Sequence, residues 1–261
     1  MNSDEMTTAK EMFIGLVDFA VYEGWEDHLE IWKSALKIEN SKWKRYRSSE
    51  GEFPTDEELD LLKGIVIPGS RYSANDDWTK AYAFIRKVVE RKSPQLYCGC
   101  FGSQLLAVAL GGEVGANPSN KFKFGSEKLQ ILPDWENHTI LSKTKKNTNS
   151  PLEEIRLLET HGQCVTKLPP GAKLAASSQT CRNEIWFIGN NILAMQSHPE
   201  FTVKLMEQRI LPKLSEKGIL SSAEVSESED SLAISLNGDD VMICNLIRQF
   251  LLFSTTSIEN E

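Results

Sequence analysis

The sequence contains no apolar run long enough to cross a bilayer, which takes about 20 consecutive apolar residues. It begins with the polar, acidic residues Met1–Glu5, which lack the hydrophobic stretch of a secretory signal. Basic residues are in the minority, with 29 Lys and Arg against 37 Asp and Glu. Because nucleic acids and anionic membranes are bound by basic surfaces, both classes of function are disfavoured. We therefore predict a globular protein that binds neither nucleic acid nor membranes.

Cysteine and histidine are scarce, and their spacing argues against two common kinds of structural site. The five cysteines are odd in number and irregularly spaced, unlike the disulfide framework of a small secreted domain. No Cys and His spacing resembles that of a zinc site, so we predict no metal. Free thiols fit a reducing compartment, and the expected location is the cytosol.

The first 112 residues alternate between short apolar segments and helical patterns. Residues 12–19 and 64–70 are apolar runs that predict buried strands, and 43–48 is a weaker strand candidate. Residues 24–38 and 77–92 place apolar side chains at helical spacing. This alternation predicts a parallel sheet that is covered by helices on both faces.

The second half of the chain has a different pattern, in which short strands are separated by turns. Strands are predicted within 127–145 and 155–198, including a hairpin around Asn190–Asn191. Residues 202–214 and 240–252 have helical patterns. The sequence therefore predicts an α/β protein whose second half adds short strands and two further helices.

A Ser- and Glu-rich segment, Ser221–Asp230, separates these two helices. Its composition predicts a mobile loop. The chain has no internal repeat and no segment with the composition of a domain linker. We therefore predict one domain over residues 11–253, with polar tails at 1–10 and 254–261.

The residues of greatest chemical interest lie in Leu96–Leu106, where an apolar run ends at a cysteine with glycines nearby. A helical pattern begins directly after Cys100. Small neighbours such as Gly99 and Gly102 are needed around a sharp strand-to-helix turn that lifts one nucleophilic side chain out of the backbone. The dipole of the following helix favours a thiolate at its N-terminus. We interpret Cys100 as the nucleophile of an enzyme.

Such a nucleophile needs a base, because a free thiol is mostly protonated near neutral pH. His198 is the strongest candidate, since it follows an apolar strand at 192–195 and Pro199 favours an extended backbone there. Glu200 can orient the imidazole ring and leave its other nitrogen free to face the thiol. The predicted catalytic residues are therefore Cys100, His198 and Glu200.

The remaining histidines and the neighbouring cysteine receive less specific interpretations. His161 has two open interpretations, a role in a substrate loop and simple loop packing. His28 and His138 are predicted to lie at the surface. Cys98 is interpreted as a small residue of the strand before the turn. A redox pair of Cys98 with Cys100 is the less favoured alternative, because a one-residue spacer strains a disulfide.

Acyl transfer also needs hydrogen-bond donors for a developing oxyanion. The backbone N–H of Phe101, directly after the predicted nucleophile, is one candidate. The turn Pro68–Ser70 closes another predicted strand, and Gly69 permits a close backbone approach there. We predict that N–H groups of Gly69, Ser70 and Phe101 bind the oxyanion.

Three segments in register resemble class I glutamine amidotransferases. Cys100–Ala107 is similar to the nucleophile turn of that family, Ile67–Ser70 to its oxyanion turn, and Gln196–Glu200 to its His–Glu segment. The resemblance covers about residues 12–205. It implies a flavodoxin-like, three-layer α/β/α fold in a single domain. It also implies hydrolysis of a γ-glutamyl amide through a γ-glutamyl thioester on Cys100.

Within this family, the chain resembles the stand-alone γ-glutamyl peptidases best known from plants. The similar segments are Ser49–Pro54, Asn75–Trp78 and the loop from His161 to Pro169. This resemblance implies a small γ-glutamyl substrate such as glutathione or a glutathione conjugate. It implies no metal, no nucleotide or other cofactor, and no obligate synthase partner. It also implies that Gln104 and His161 lie near the glutamyl group.

Four positions depart from the family pattern. Cys98 stands where Gly is usual, Ser103 stands where His or Met is usual, and Gln163 and Cys164 replace an acidic pair. Two alternatives to a peptidase therefore stay open. One is a glutaminase subunit that delivers ammonia to a separate synthase, and the other is a catalytically weakened amidotransferase-like protein that binds a metabolite or a partner.

Overall fold

A nine-stranded sheet runs through the computed structural model of the protein, which describes residues 11–143 and 152–253. The strands are β1 (Met12–Asp18), β2 (Ser41–Arg47), β3 (Leu62–Ile67), β4 (Gln95–Gly99), β5 (Glu113–Ala116), β6 (Lys123–Ile131), β7 (Glu154–His161), β8 (Gln163–Lys167), β9 (Lys173–Ser178), β10 (Ile185–Ile188) and β11 (Ile192–Met195). The order across the sheet is β2-β1-β3-β4-β11-β10-β9-β6-β7, and β5 pairs with β8 separately. The tails predicted at 1–10 and 254–261 lie outside the described residues.

The strands β2, β1, β3, β4 and β11 form the parallel half of the sheet. With β11 as the fifth strand, their order is 2-1-3-4-5, which is the flavodoxin-like order. Successive side chains of a strand point to opposite faces. In β3, Val66 packs on one face, whereas Ile65 and Ile67 pack on the other. Both faces of this half are therefore apolar and need a covering layer.

Helices supply that layer on both sides. Within the described ranges they are α1 (His28–Leu36), α2 (Asp56–Leu61), α3 (Thr79–Arg91), α4 (Phe101–Ala109), α5 (Val203–Leu205), α6 (Leu211–Glu216), α7 (Ser222–Leu232) and α8 (Asp239–Leu252). Trp32 of α1 and Phe250 of α8 are buried on one face, and Phe84 of α3 and Leu105 of α4 on the other. The predicted three-layer α/β/α architecture is confirmed. None of these helices is long and apolar enough to cross a membrane.

The other half of the sheet is antiparallel and includes the predicted hairpin, which is confirmed. Strands β10 and β11 pair antiparallel, with Ile188 opposite Ile192 across the turn at Asn190–Asn191. Because β11 also pairs in parallel with β4, the hairpin joins the two halves of the sheet. The residues that follow β11 therefore lie beside the residues that follow β4.

The segment Ser221–Asp230 is not the mobile loop that its composition predicts. It forms most of α7, and its start is a capping box. Ser221 accepts the N–H of Glu224, and the Glu224 carboxylate accepts the N–H of Ser221. These two bonds satisfy backbone donors that the first turn of a helix leaves free. Buried Leu232 then anchors the far end, so local capping and one apolar contact outweigh the polar composition.

The prediction that His28 and His138 lie at the surface is wrong, because both are buried. His28 Nδ1 lies 3.0 Å from Asp18 Oδ1, and Arg45 Nε donates to the other oxygen of that carboxylate at 2.7 Å. His138 Nδ1 accepts the N–H of Ile140 at 3.2 Å. Polar flanking residues suggested exposure, but each ring has a specific polar partner that makes its burial possible.

The capping box predicts a measurable loss of stability in a Ser221→Ala variant. The free energy of unfolding should fall by about 0.5 to 2 kcal/mol, because Ala cannot accept the Glu224 N–H. Denaturant unfolding measures the change. Ser222→Ala, one residue into the same exposed turn, is the matched control and should stay within about 0.5 kcal/mol of the wild type. Equal losses in both variants would contradict the capping role.

Candidate active site

Cys100 occupies a strained backbone position between β4 and α4. Its φ of 47° and ψ of −111° lie in a region that residues with a side chain rarely adopt. The conformation is held from both sides, because the Cys100 N–H donates to Met195 O at 2.7 Å and the Gly102 N–H donates to Pro68 O at 3.2 Å. The sharp turn predicted from the glycines is therefore present.

Gly102 is required for this turn by packing. A Cβ at Gly102 would lie 2.1 Å from Ile67 O, a distance that no substituted residue tolerates. Gly102 thus lets α4 begin directly against the end of β3. As a result, the side chain of Cys100 lies at the edge where β3, β4 and β11 end together.

His198 follows β11 and lies at the same edge of the sheet, where its ring is buried. Its Nδ1 lies 2.9 Å from Glu200 Oε1, and its ring stacks on Phe201 at 4.3 Å between centroids. The His198 N–H donates to Leu158 O at 2.8 Å, which fixes the backbone. Nε2 is buried and has no hydrogen-bond partner among the described residues. The predicted arrangement is therefore present, with Glu200 on one ring nitrogen and the other nitrogen free.

The charges of the site favour a protonated imidazole. Burial lowers the pKa of His198, but the nearby negative charges of Cys100 and Glu200 and the bond to Glu200 outweigh burial and raise the pKa to about 10. His198 is therefore protonated at neutral pH. The thiol of Cys98 differs, because burial raises its pKa well above the usual range and keeps it neutral.

The turn at Gly69 and Ser70 forms the opposite wall of the site. A Cβ on Gly69 would lie 2.7 Å from His198 Cε1 and 3.4 Å from Cys100 Cβ, so the glycine backbone touches both residues. Within the described part of the chain, the N–H groups of Gly69, Ser70 and Phe101 donate to no protein acceptor. The three predicted oxyanion donors therefore lie close together and are free.

Gln104 lies on the first turns of α4 and links Cys100 to the predicted substrate loop. Its Nε2 donates to Gln163 O at 2.8 Å and to Gln196 Oε1 at 3.1 Å. Gln196 Nε2 in turn donates to Cys100 Sγ at 3.4 Å. Gln196 stands two residues before His198, directly after β11, and no sequence pattern predicts its contact with the sulfur.

His161 is also close to the site, where it is buried beside a carboxyl group. Burial and the charges of His198 and Lys123 lower its pKa to about 3, which keeps it neutral. Its Nε2 lies 3.5 Å from Glu159 Oε2, but neither ring nitrogen has a hydrogen-bond partner among the described residues. Burial and the neighbouring Glu184 raise the pKa of Glu159 well above its ordinary value. No sequence pattern predicts the burial of Glu159 and Glu184, since carboxyl groups are normally exposed.

The departures at 103, 163 and 164 are accommodated by neutral partners. Ser103 Oγ accepts the Trp186 indole N–H at 3.1 Å. Ser73 donates to Gln163 Oε1 at 2.9 Å, and Cys164 is buried. No group of three or more His, Cys, Asp or Glu side chains in the described ranges has the geometry of a metal site.

Comparison with known proteins agrees with this geometry. The family model for glutamine amidotransferase class-I matches residues 37–216, which is well over half of the chain. The chain belongs to the class I glutamine amidotransferase family. It is an enzyme of this class, a glutamine amidotransferase-like hydrolase.

The curated relatives of this amidotransferase include several from plants and yeast. Gamma-glutamyl peptidase 4 of Arabidopsis thaliana is 32% identical over 66% of this chain and 66% of its own length. Gamma-glutamyl peptidase 2 of the same plant is 26% identical over 74% of this chain and 81% of its own length. A putative glutamine amidotransferase of Saccharomyces cerevisiae is 30% identical over 66% and 67%.

Solved structures support the fold of the amidotransferase. A glutamine amidotransferase from Thermotoga maritima aligns with a TM-score of 0.69 at 16% identity. The alignment covers 93% of this chain and 99% of that one. Another, from Methylobacillus flagellatus, aligns with a TM-score of 0.63 at 21% identity over 95% and 96%.

The pairing of charges predicts that the pKa of His198 depends on the sulfur of Cys100. In the wild type, ring-nitrogen NMR should give His198 a pKa of about 10. A Cys100→Ala variant should lower it by about 1 to 3 pH units, because the neighbouring negative charge is lost. Buried His138, whose pKa burial lowers to about 4, is the internal control and should not move. An unchanged pKa of His198 in the variant would contradict the ion pair.

Proposed function

We propose that the chain is a cysteine hydrolase that cleaves γ-glutamyl amide or peptide bonds. The proposal rests on one observation. Cys100 lies in a strained strand-to-helix turn beside His198, and Glu200 holds Nδ1 of that histidine. A nucleophile, a base and a group that orients the base are the parts that acyl transfer through a covalent intermediate requires. The names of the Arabidopsis relatives support a γ-glutamyl group as the acyl part.

In the first half of the reaction, the Cys100 thiolate attacks the γ-carbonyl carbon and the carbonyl electron pair moves to its oxygen. The free N–H groups of Gly69, Ser70 and Phe101 bind the resulting oxyanion. When the tetrahedral intermediate collapses, the C–N bond breaks and His198 gives its proton to the leaving amine. The products of this half are a free amine and a γ-glutamyl thioester on Cys100.

In the second half, water replaces the amine. Neutral His198 takes a proton from the water as it attacks the thioester carbon, and the same N–H groups bind the second oxyanion. Collapse breaks the C–S bond and releases glutamate, which restores the thiolate and imidazolium pair. Glu200 keeps Nε2 of His198 directed at the reacting atoms in both halves.

Gln104 and His161 are proposed to face the glutamyl group. Both amide hydrogens of Gln104 are donated to protein groups, so its Oε1 is the atom left to accept an N–H from the α-ammonium of the substrate. His161 stays neutral, and its unpartnered nitrogens offer one donor and one acceptor. These groups recognise a glutamyl unit without adding charge beside the thiolate.

Glutathione or a glutathione conjugate is the substrate class that we propose, and it contains the γ-glutamyl bond that the names of the plant relatives mention. The similarity to those proteins over three quarters of this chain supports a reaction without an obligate synthase partner. The scheme needs no metal or other cofactor. A cytosolic location stays a prediction from the sequence.

The decisive prediction concerns Cys100→Ala, tested with a panel of glutathione, a glutathione conjugate, a γ-glutamyl dipeptide and free glutamine. Cleavage should fall by at least about 10⁴-fold, because the covalent intermediate cannot form. Rapid quenching and intact-mass measurement of the wild type should reveal a γ-glutamyl adduct that the variant lacks. Cys98→Ala is the matched control, since Cys98 is a buried, neutral thiol two residues away, and it should keep its activity.

The same panel separates the competing functions. Preferred release of ammonia from free glutamine would favour a glutaminase that feeds a synthase. If the wild type cleaves nothing on the panel and forms no adduct, the hydrolase proposal is wrong, and a binding protein becomes the better interpretation.

A further inference from the structure

Among the described residues, the side chain of Gln196 is the one that donates a hydrogen bond to the sulfur of Cys100. Its Nε2 lies 3.4 Å from Cys100 Sγ, within the usual range for an N–H donor to sulfur. The side chain is buried and follows directly after β11. Neither the acid–base chemistry of His198 nor the oxyanion turn uses this contact.

The orientation of the Gln196 amide is fixed by its neighbours. Its Oε1 accepts an N–H of Gln104 at 3.1 Å, so the NH₂ end must point towards the sulfur. Gln104 is itself held by its second bond, to Gln163 O at 2.8 Å. The Gln196 backbone N–H donates to Glu184 O at 2.8 Å, which fixes the base of the side chain. The donor is therefore preorganised.

We propose that Gln196 is a further catalytic residue, whose side-chain N–H stabilises the Cys100 thiolate before attack. The proposal rests on the proposed function in that it takes Cys100 as the nucleophile. An N–H donor binds the charged thiolate more strongly than the neutral thiol, and so shifts the equilibrium towards the reactive form. Because an amide does not ionise at these pH values, Gln196 stabilises the charge and leaves proton transfer to His198.

A second donor is needed because the thiolate is buried. Only 6% of Cys100 is exposed, so water contributes little to solvating the charge. His198 provides a positive charge beside Sγ, but it loses that charge when it gives its proton to the leaving amine. Gln196 stays in place through that step, and it binds the sulfur again when the thiolate is expelled from the thioester.

The readout is the difference between the pH profiles of the wild type and the variants. His198, Tyr97 and Glu159 interact electrostatically with Cys100, and Glu200 acts through His198. Burial raises the pKa of both Tyr97 and Glu159 well above their ordinary values. Glu184 neighbours Glu159, and burial raises its pKa to about 7, so it titrates within the range of the assay. Because Glu184 is present in the wild type and in every variant, a difference between their profiles reports the change at residue 196.

The test is the rate at which iodoacetamide alkylates Cys100 as a function of pH, followed by intact mass with Cys100→Ala as the blank. Gln196→Glu keeps the shape and the acceptor for Gln104 but replaces the donor with an oxygen. We expect the acidic midpoint to move up by about one pH unit and the rate just above the wild-type midpoint to fall several-fold. The neutral variant Gln196→Met should move the midpoint in the same direction.

The matched control is Gln95→Glu, another buried amide, at the start of the strand that leads to Cys100. Its midpoint should equal that of the wild type. If both Gln196 variants keep the wild-type profile, or if Gln95→Glu shifts as much, the role of Gln196 is refuted. If a thermal melt shows that Gln196→Glu is not folded, the pH profile of Gln196→Met is used in its place. The assay needs no substrate, so it stays valid even if no γ-glutamyl compound is cleaved.

Discussion

The strained backbone at Cys100 is the constraint on which the rest of the site depends. A residue with a side chain at φ 47° costs about 1 to 3 kcal/mol, so it persists only where its neighbours enforce it. Here the neighbours are the ends of β11 and β3, through Met195 O and Pro68 O. The same two strand ends lead into His198 and Gly69. The two strand ends that impose the strain therefore also position His198 and the turn at Gly69. The parallel register of β3, β4 and β11 brings these groups to one edge of the sheet.

Electrostatics distinguish the proposed nucleophile from its neighbouring thiol. Cys98 and Cys100 are separated by a single residue, yet only Cys100 lies beside the imidazole and the helix N-terminus. The Cys98 side chain points into the core between the sheet and the helices, where burial favours the neutral thiol. Cys98 lies within β4, whereas Cys100 lies in the strained turn after that strand, so two cysteines two residues apart have different surroundings. The neutral state of Glu159 has a related effect, because a second anion near the thiolate would oppose its formation.

The sequence was sufficient for features that depend on local patterns. The apolar runs predicted the parallel strands, Asn190–Asn191 predicted the hairpin, and the glycines around Cys100 predicted the sharp turn. It was insufficient where long-range contacts decide: His28 is buried by Asp18 and Arg45, and Gln196 meets the sulfur only because β11 pairs with β4. The helix α7 is a different case. Its capping box is visible in the sequence at Ser221 and Glu224 and indicates the start of a helix, whereas the Ser- and Glu-rich composition indicates a loop.

Gln163 and Cys164 replace an acidic pair in the predicted substrate loop. The hydrogen bonds that join this loop to the Cys100 sulfur through Gln104 and Gln196 are nevertheless present. Gln163 uses its backbone oxygen to hold Gln104 and its side chain to accept from Ser73. Neither bond needs a charge on the side chain, so replacing an acid there preserves the path to Cys100. What changes is the electrostatic field, because positions 163 and 164 place no carboxylate near Cys100. The departures at these two positions therefore leave the contacts around Cys100 and His198 intact.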